Sequence, residues 1–246
     1  LPNMLPVYSP YSTSLTWETI ENAGFGVDFA LFGSRLSGSF DLFQRTTKDM
    51  VGPAAALSAL YGAAAPKTNN ATLRTRGWEL EMKWHGNINK FNYGIGFSLS
   101  DYNSVITKYY NSTGQCTNAS NGTYWYEGKT VGEIWGYEVK GISKSDDEMN
   151  AHLEVADQSA LGSKWGGGDI MYADLNGDGK VDGGSYTLDD HGDLKRIGNS
   201  TPHYAYSVTL DGQYKWFDFR VYIQGIGKRD FVFTNSAPYW GIAAEW

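Results

Sequence analysis

The chain has 246 residues, 30 of them glycine, with 15% aromatic residues and a formal net charge of -7. The negative charge argues against nucleic acid as a partner, and the single cysteine, Cys116, excludes an internal disulfide framework and a cysteine-based zinc site. No run of about 20 apolar residues is present to form a transmembrane helix, whereas the strands of a transmembrane β-barrel alternate lipid-facing and lumen-facing residues and escape that test.

Apolar residues alternate with polar or small residues in three pairs of segments, which predicts three β-hairpins with strands of roughly ten residues. The paired segments are GFGVDFALF with SRLSGSFDLFQR, GWELEMKWHG with FNYGIGFSLSDY, and HYAYSVTLDG with WFDFRVYIQG. The turns are predicted at Gly33–Ser34, Gly86–Asn87 and Asp211–Gly212, because these residue types are strong turn formers.

The predicted hairpins are separated by long connections, roughly residues 46–74 and 104–202. Short turns on one side and long loops on the other are typical of an outer-membrane barrel. A soluble β-sandwich with one large insertion would give the same pattern, so the spacing leaves both architectures open.

Tryptophans near the ends of predicted strands fit the aromatic girdles of a barrel, although aromatic residues are enriched in strands of every kind. They are Trp17, Trp78, Trp84 and Trp216.

The stretch DLNGDGKVD, residues 174–182, resembles the first half of an EF-hand calcium loop. Asp174, Asn176 and Asp178 alternate and are followed by Gly179, so that three oxygen-bearing side chains are placed to bind one hard cation while the glycine allows a sharp turn. The alternative is a hydrated turn, since Asn-Gly and Asp-Gly are strong turn formers on their own.

The later positions of the loop complete the pattern only in part. Lys180 would supply its backbone carbonyl, and Asp182 would bind directly or through water. The twelfth position, which is a bidentate glutamate in an EF-hand, is Ser185. A cation here would brace a long loop that is expected to bury little apolar surface.

Signals for catalysis are weak. The four histidines, His85, His152, His191 and His203, are scattered, and no nucleophile elbow, phosphate-binding loop or zinc motif is present. The acidic residues 146–148 suggest a solvated loop. The sequence therefore gives no positive case for an enzyme.

Five segments, taken in order, resemble the C-terminal barrel region of the SusC/RagA family of TonB-dependent outer-membrane transporters. Arg76 departs from the family pattern, which more often has Asn or a Lys-like residue there. The segments are LTWETIENAGFGVDFALFGSRLSGSFDLFQRTTKDMV (15–51), NNATLRTRGWELEMKW (69–84), GEIWGYEVKGI (132–142), GGDIMYADLNGDGKVD (167–182) and IGNSTPHYAYSVTLDGQYKWFDFRVYIQGIGKRD (197–230).

The resemblance implies that residues 1–246 form part of an all-β, antiparallel transmembrane barrel of about 22 strands with a plug in its lumen. About six strands would lie in this chain, and residues 104–202 would form a long extracellular loop region. The resemblance also implies energy-coupled import of oligosaccharides or peptides across the bacterial outer membrane. The expected partners are a SusD-like surface lipoprotein acting as a lid, TonB through the plug, which is expected to lie outside this chain, and outer-membrane lipid.

The family pattern also suggests a carboxylate for the incomplete calcium loop. Asp193, four residues before Ile197, is the favoured candidate, and Asp189 and Asp190 compete for the same role. The expected ligands of a structural Ca²⁺ are therefore Asp174, Asn176, Asp178, Lys180, Asp182 and Asp193.

Aromatic residues of the long loop are candidates to stack on sugar rings or on peptide side chains of a cargo. Packing of the loop onto its neighbours is the alternative role for them. The candidates are Tyr109, Tyr110, Trp125, Tyr126 and Trp135.

The rival hypothesis is a secreted, calcium-stabilised β-sandwich that binds glycans. A barrel requires a lipid-facing apolar band that continues across neighbouring strands, whereas the apolar faces of a sandwich are covered by each other. The set Val27, Phe29 and Leu31 is compatible with both arrangements.

Overall fold

The computed structural model describes residues 12–13, 15–52, 65–119, 122 and 124–232. Within these ranges no helix is long and apolar enough to cross a membrane. The elements of the described part are β1 Thr19–Leu31, β2 Leu36–Val51, β3 Asn69–Ile88, β4 Phe91–Tyr109, β5 Glu133–Tyr137, β6 Val139–Ile142, α1 Asp146–Leu153, β7 Ile170–Tyr172, β8 Leu194–Asn199, β9 His203–Tyr214 and β10 Phe217–Lys228.

Six long strands form one antiparallel sheet in the order β1-β2-β3-β4-β9-β10. Each strand pairs with the next along the chain except at β4 and β9, which are neighbours in the sheet although residues 110–202 separate them. The antiparallel sheet predicted from the sequence is confirmed, and the long segment is a connection between adjacent strands.

Two of the three predicted turns are wrong. The strands are 12 to 20 residues long, and the second and third hairpins turn at residues 89–90 and 215–216. Gly86 and Gly212 lie inside strands, where each leaves room for a cross-strand ring. A Cβ at Gly86 would collide with Tyr93, and one at Gly212 would collide with Phe219. Aromatic rings often cover strand glycines in this way.

The chain divides into two compact units. The first comprises the described residues up to Tyr109 with Gly128–Val131 and Thr201–Asp230, and it contains the six-stranded sheet. The second contains Tyr110–Glu127 and Gly132–Ser200. We call residues 110–127 and 132–200 the excursion.

The excursion contains two small sheets, β5 with β8 and β6 with β7, and the helix α1. Cys116, Tyr126, Trp135 and Leu194 form a buried cluster. The expectation that this segment buries little apolar surface is wrong, because residues far apart in sequence supply the cluster together.

The helix α1 replaces the solvated loop expected at residues 146–148. The Ser145 hydroxyl accepts a hydrogen bond from the Glu148 N–H at 3.2 Å, and the Glu148 carboxylate accepts one from the Lys144 N–H at 2.6 Å. A serine followed three residues later by glutamate is the signature of a capped helix start, and here it begins a helix of eight residues.

Candidate functional site

One face of the six-stranded sheet is apolar across every strand. Residues paired directly across antiparallel strands lie on the same face, and two neighbouring rows of such pairs are apolar or glycine throughout. Leu31, Ile95 and Val221 remain 45–50% exposed. The rows are Leu31–Leu36–Trp84–Ile95–Leu210–Val221 and Phe29–Gly38–Met82–Phe97–Val208–Ile223.

This apolar band distinguishes the two architectures that the sequence leaves open. A sandwich would cover the face with a second sheet, but within the described residues the six-stranded sheet is the only sheet of its unit. Trp78 and Trp84 lie six residues apart on β3, about 20 Å along the strand, and bracket Leu80 and Met82 on the band. Exposed apolar rows with aromatic residues at both edges are the features of a lipid-facing surface.

The opposite face is polar. Asp28, between Val27 and Phe29 on β1, begins a row that crosses all six strands without an apolar residue. The Ser98 and Ser207 hydroxyls of this row lie 2.7 Å apart and share a hydrogen bond. The row is Asp28–Ser39–Glu81–Ser98–Ser207–Gln224.

A depression of about 770 Å³ on strands β1 to β4 combines aromatic and charged side chains. Phe43 pairs with Gly24 on one side and with Gly77 on the other. A Cβ at Gly77 would collide with the Phe43 ring, so the missing side chain is what admits the ring. Tyr102 lies opposite Gly77 on β4 and is exposed.

Charged groups also line this depression. Asp41 and Glu79 contribute carboxylates, and Arg45 contributes a guanidinium whose Nε donates to the Asn22 Oδ1 at 3.2 Å. Rings beside hydrogen-bonding groups of both charges can hold polar cargo that has ring or aliphatic surfaces. The aromatic residues predicted from the sequence to bind cargo are not among those that line this depression, although the glycines of β1 and β3 opposite Phe43 indicate it.

Two of the predicted cargo-binding aromatics are core residues of the excursion. Tyr126 and Trp135 are 4% and 8% exposed. The Tyr126 hydroxyl and the Trp135 Nε1 both donate to the Glu133 carboxylate, whose other oxygen lies 3.9 Å from the Arg196 Nη1. Burial, reinforced by Glu133, raises the pKa of Tyr126. These rings pack the excursion, which was their alternative role, and they do not present a face to cargo.

The other three aromatic candidates are placed differently. Tyr109 is the last residue of β4 and pairs with Ala71. Tyr110, the first residue of the excursion, is 79% exposed, and Trp125 is half-buried. Cargo binding by these three residues stays a prediction.

The predicted calcium loop is closed by hydrogen bonds from its own backbone. The Asp174 carboxylate accepts from the N–H groups of Gly177 at 2.6 Å and Gly179 at 2.8 Å, and both glycines have the positive φ that this turn needs. These bonds, that from Gly179 first, lower the pKa of Asp174. The Asp178 carboxylate accepts from the Lys180 N–H at 2.8 Å.

Asp193 is the predicted ligand that the structure brings to this loop. It is 1% exposed, and its oxygens accept hydrogen bonds from the N–H groups of Leu175 at 2.6 Å, Asn176 at 3.3 Å and Asp182 at 3.0 Å. Its competitor Asp190 instead accepts from the N–H and hydroxyl of Ser185.

The loop geometry does not by itself form a metal centre. Across the part of the chain that the structure describes, no three His, Cys, Asp or Glu side chains converge closely enough to hold a metal ion. The oxygens of Asp174, Asp178 and Asp193 serve as acceptors for backbone N–H groups instead. Calcium binding stays a prediction.

Comparison with known families and curated proteins gives consistent matches. The family model for TonB dependent receptor-like β-barrels matches residues 1–128. TonB-dependent receptors P3 and P39 of Formosa agariphila are 26% identical over 219 residues and 23% identical over 241 residues, covering 86% and 83% of this chain. The chain spans only about a fifth of their length, 20% and 21%.

Solved structures share the fold. The RagAB peptide transporter matches with a TM-score of 0.58 and 19% identity, over 85% of this chain and 21% of the other. The RagAB peptide importer in its open-open state matches with a TM-score of 0.60 and 19% identity, over 86% and 21%.

A sheet with an exposed apolar face and an opposite polar face is typical of the wall of an outer-membrane β-barrel. The chain belongs to the TonB-dependent receptor-like β-barrel family, whose model covers more than half of it. The resemblance to SusC/RagA transporters is confirmed, and the β-sandwich alternative is wrong.

Proposed function

We propose that the chain forms part of the wall of an energy-coupled importer that carries oligosaccharides or peptides across the outer membrane. The observation that carries this proposal is the division of the six-stranded sheet into an exposed apolar face and a polar face with an aromatic depression. The polar face would line the lumen along which cargo passes. Because the chain spans about a fifth of its relatives, the activity of the whole receptor is inferred.

The depression has the chemistry for transient cargo contacts. Tyr102 and Phe43 offer rings to sugar faces or apolar side chains, at about 0.5–1.5 kcal/mol for each well-formed contact. Asp41, Glu79 and Arg45 offer acceptors and donors for hydroxyls, amines or carboxylates. Contacts of this size are strong enough to guide a cargo and weak enough to release it, which transport requires.

Both cargo classes remain in the proposal. A solved neighbour is titled a peptide importer, and the mixture of carboxylates and a guanidinium suits the charges of a peptide. Exposed rings beside hydrogen-bonding groups suit a sugar equally well. Tyr109, Tyr110 and Trp125 remain proposed as further cargo contacts.

The proposal includes two protein partners. A SusD-like surface lipoprotein would close over the receptor and trap cargo, and TonB would act through a plug outside this chain. Residues 110–202 leave the sheet between adjacent strands on the side of its long connections, which is the outer side in barrels of this kind. We place the contact with the lid there.

A structural Ca²⁺ in the loop from Asp174 to Asp182 is also proposed. Three observations support it: the alternating Asp, Asn and Asp, the left-handed glycines, and the proximity of Asp193. The ion would add rigidity to the excursion and take no part in transport chemistry.

The test of the importer is uptake by cells whose only route for a cargo is the full-length receptor. Tyr102→Ala is expected to raise the KM for uptake about threefold to tenfold, because one ring contact is lost. Tyr102→Phe keeps the ring and should transport nearly normally. Tyr222→Ala serves as the matched control. It removes an exposed tyrosine of β10 that lies on the same polar face of the sheet as Tyr102 but away from the depression.

The result identifies the cargo as well as the site. Labelled oligosaccharides and labelled peptides are assayed separately, with receptor levels in the outer membrane measured in each strain. Uptake of neither class by the wild-type receptor contradicts the importer. Uptake that is unchanged in Tyr102→Ala contradicts the role of the depression.

A further inference from the structure

The apolar face ends, on the side of the long connections, in a zone with an excess of positive charge. Along β3 the residues that share a face with Trp78, Leu80 and Met82 continue as Arg76 and Arg74, because the pairing with β2 and β4 is regular from Leu73 onward. The rows in this zone are Ala23–Gln44–Arg76–Asn103 and Glu21–Thr46–Arg74–Val105.

The acidic groups of this zone are already paired. The Glu21 Oε1 lies 2.5 Å from the Lys48 Nζ. The Oδ1 of Asp101, which is paired with Trp78, lies 2.7 Å from the His203 Nδ1. Glu21 lies in the same row as Arg74, and Asp101 lies in the row next to that of Arg76, so both of these carboxylates already have cationic or histidine partners. Neither arginine has an ion pair within the described residues.

No carboxylate of the described residues neutralises the charge of Arg74 or Arg76 through a hydrogen bond. The Arg76 Nε donates to the neutral Gln44 Oε1 at 2.7 Å, which fixes the side chain without neutralising it. The Arg74 guanidinium has no hydrogen-bond partner within the described residues. Residues two apart on a strand are about 7 Å apart, so both guanidinium groups can reach one headgroup.

From this arrangement we infer that Arg74 and Arg76 form a binding site for an anionic, phosphate-bearing lipid headgroup of the outer leaflet. The site continues directly from the lipid-facing band, and it lies on the side of the long connections, which is the outer side in such barrels. A lipid bound here has its acyl chains against Leu80 and Met82 and its phosphate on the guanidinium forks, which match phosphate geometry with two parallel hydrogen bonds.

Arg74 and Arg76 lie on the face of the sheet that carries the apolar band, whereas the nearby Arg45 does not. Arg45 lies at the same level but on the polar face, because it pairs with Thr75, the residue between Arg74 and Arg76. A lipid headgroup can reach Arg74 and Arg76 and cannot reach Arg45. The inference is independent of which cargo the receptor carries.

The test uses the full-length receptor reconstituted into phosphatidylcholine nanodiscs that contain either lipid A or dephosphorylated lipid A, with bound lipid counted by native mass spectrometry. The wild-type receptor is expected to retain lipid A in preference to the dephosphorylated form. Arg74→Gln with Arg76→Gln should weaken retention about tenfold, whereas Arg45→Gln should leave it unchanged.

Three outcomes overturn the inference. The double variant could retain as much lipid A as the wild type, or Arg45→Gln could lose as much as the double variant. The wild type could also retain as much dephosphorylated lipid A as lipid A. Inorganic phosphate is added as a competitor, and displacement at concentrations equal to those of the lipid would show a free-phosphate site instead. If the double glutamine variant does not fold, Arg74→Lys with Arg76→Lys keeps the charge and should bind more weakly than wild type, because the fork is lost.

Discussion

The His203 Nδ1 lies 2.7 Å from the Asp101 Oδ1, and both side chains are 18% exposed. Asp101 is paired across the sheet with Trp78, and its carboxylate also accepts from the N–H of Tyr204 at 3.4 Å. Tyr204 has a φ of +56°, a left-handed conformation that is unusual for a tyrosine. Asp101 therefore stabilises both a histidine and an irregular start of β9.

The first prediction concerns this pair. Asp101→Ala should destabilise the full-length receptor by about 2 kcal/mol, because it leaves a mostly buried His203 without its acceptor. Urea unfolding in vesicles, followed by tryptophan fluorescence, measures the change. Glu21→Ala breaks the exposed pair with Lys48 and should cost about 0–1 kcal/mol. Equal effects of the two substitutions would contradict the role assigned to Asp101.

The second prediction concerns Gly77, beneath the Phe43 ring. A Cβ there would lie 2.7 Å from the Asp101 carbonyl oxygen as well as against the ring, so Gly77→Ala should cost about 1–3 kcal/mol through overpacking. Gly96→Ala is the control on the neighbouring strand, where a Cβ would meet its nearest neighbour, Thr209, at 3.5 Å. The same unfolding measurement compares them, and a tolerated Gly77→Ala would contradict the close approach of the ring.

The long strands were predictable because their alternation has a period of two. Asp28 between Val27 and Phe29 is enough to place opposite chemistry on opposite faces of β1, and the same alternation continues on the neighbouring strands. The turns were harder to predict. The local sequence around Gly86 and Gly212 predicts turns. In the structure each glycine instead makes room for an aromatic ring on the neighbouring strand, Tyr93 or Phe219.

The roles of the excursion residues depend on contacts that sequence spacing does not contain. Tyr126 and Trp135 are buried in one cluster with Cys116 and Leu194, which are distant in sequence, so the local sequence of the two aromatic residues could not separate packing from cargo binding. Asp193 was expected to serve the calcium loop, and it does reach that loop. Its hydrogen bonds to three backbone N–H groups are a further role that the family pattern did not reveal.

The third prediction concerns Asp193 as an anchor of the excursion. Asp193→Ala would leave the N–H groups of Leu175, Asn176 and Asp182 without their acceptor, at a cost of about 2–4 kcal/mol. Faster proteolytic cleavage within residues 170–195 of the full-length receptor is the expected result. Asp189→Ala removes an exposed neighbouring carboxylate and should leave the cleavage rate unchanged. If both variants resist protease like wild type, Asp193 is not an anchor.

The fourth prediction concerns acid. Backbone hydrogen bonds, that from Gly179 first, lower the pKa of Asp174 below its ordinary value of 3.8. A group with a lowered folded-state pKa stabilises the fold above the unfolded-state value, and this contribution is lost as the pH falls through the folded-state pKa. Proteolysis near residue 177 should therefore accelerate below pH 3.8, when an acid-active protease is used. Asp174→Asn should weaken this pH dependence, and an unchanged profile would contradict the assignment.

The fifth prediction concerns calcium. If the loop from Asp174 to Asp182 binds Ca²⁺, chelation should increase protease sensitivity within the excursion, and added Ca²⁺ should restore protection with saturation. Asp178→Ala should weaken the restoring effect about tenfold, because one of few carboxylates is lost. Asp147→Ala, an exposed carboxylate in the first turn of α1, is the control. Protection that is equal with and without Ca²⁺ in the wild type would mean that the backbone hydrogen bonds of Asp174 and Asp193 hold the loop without an ion.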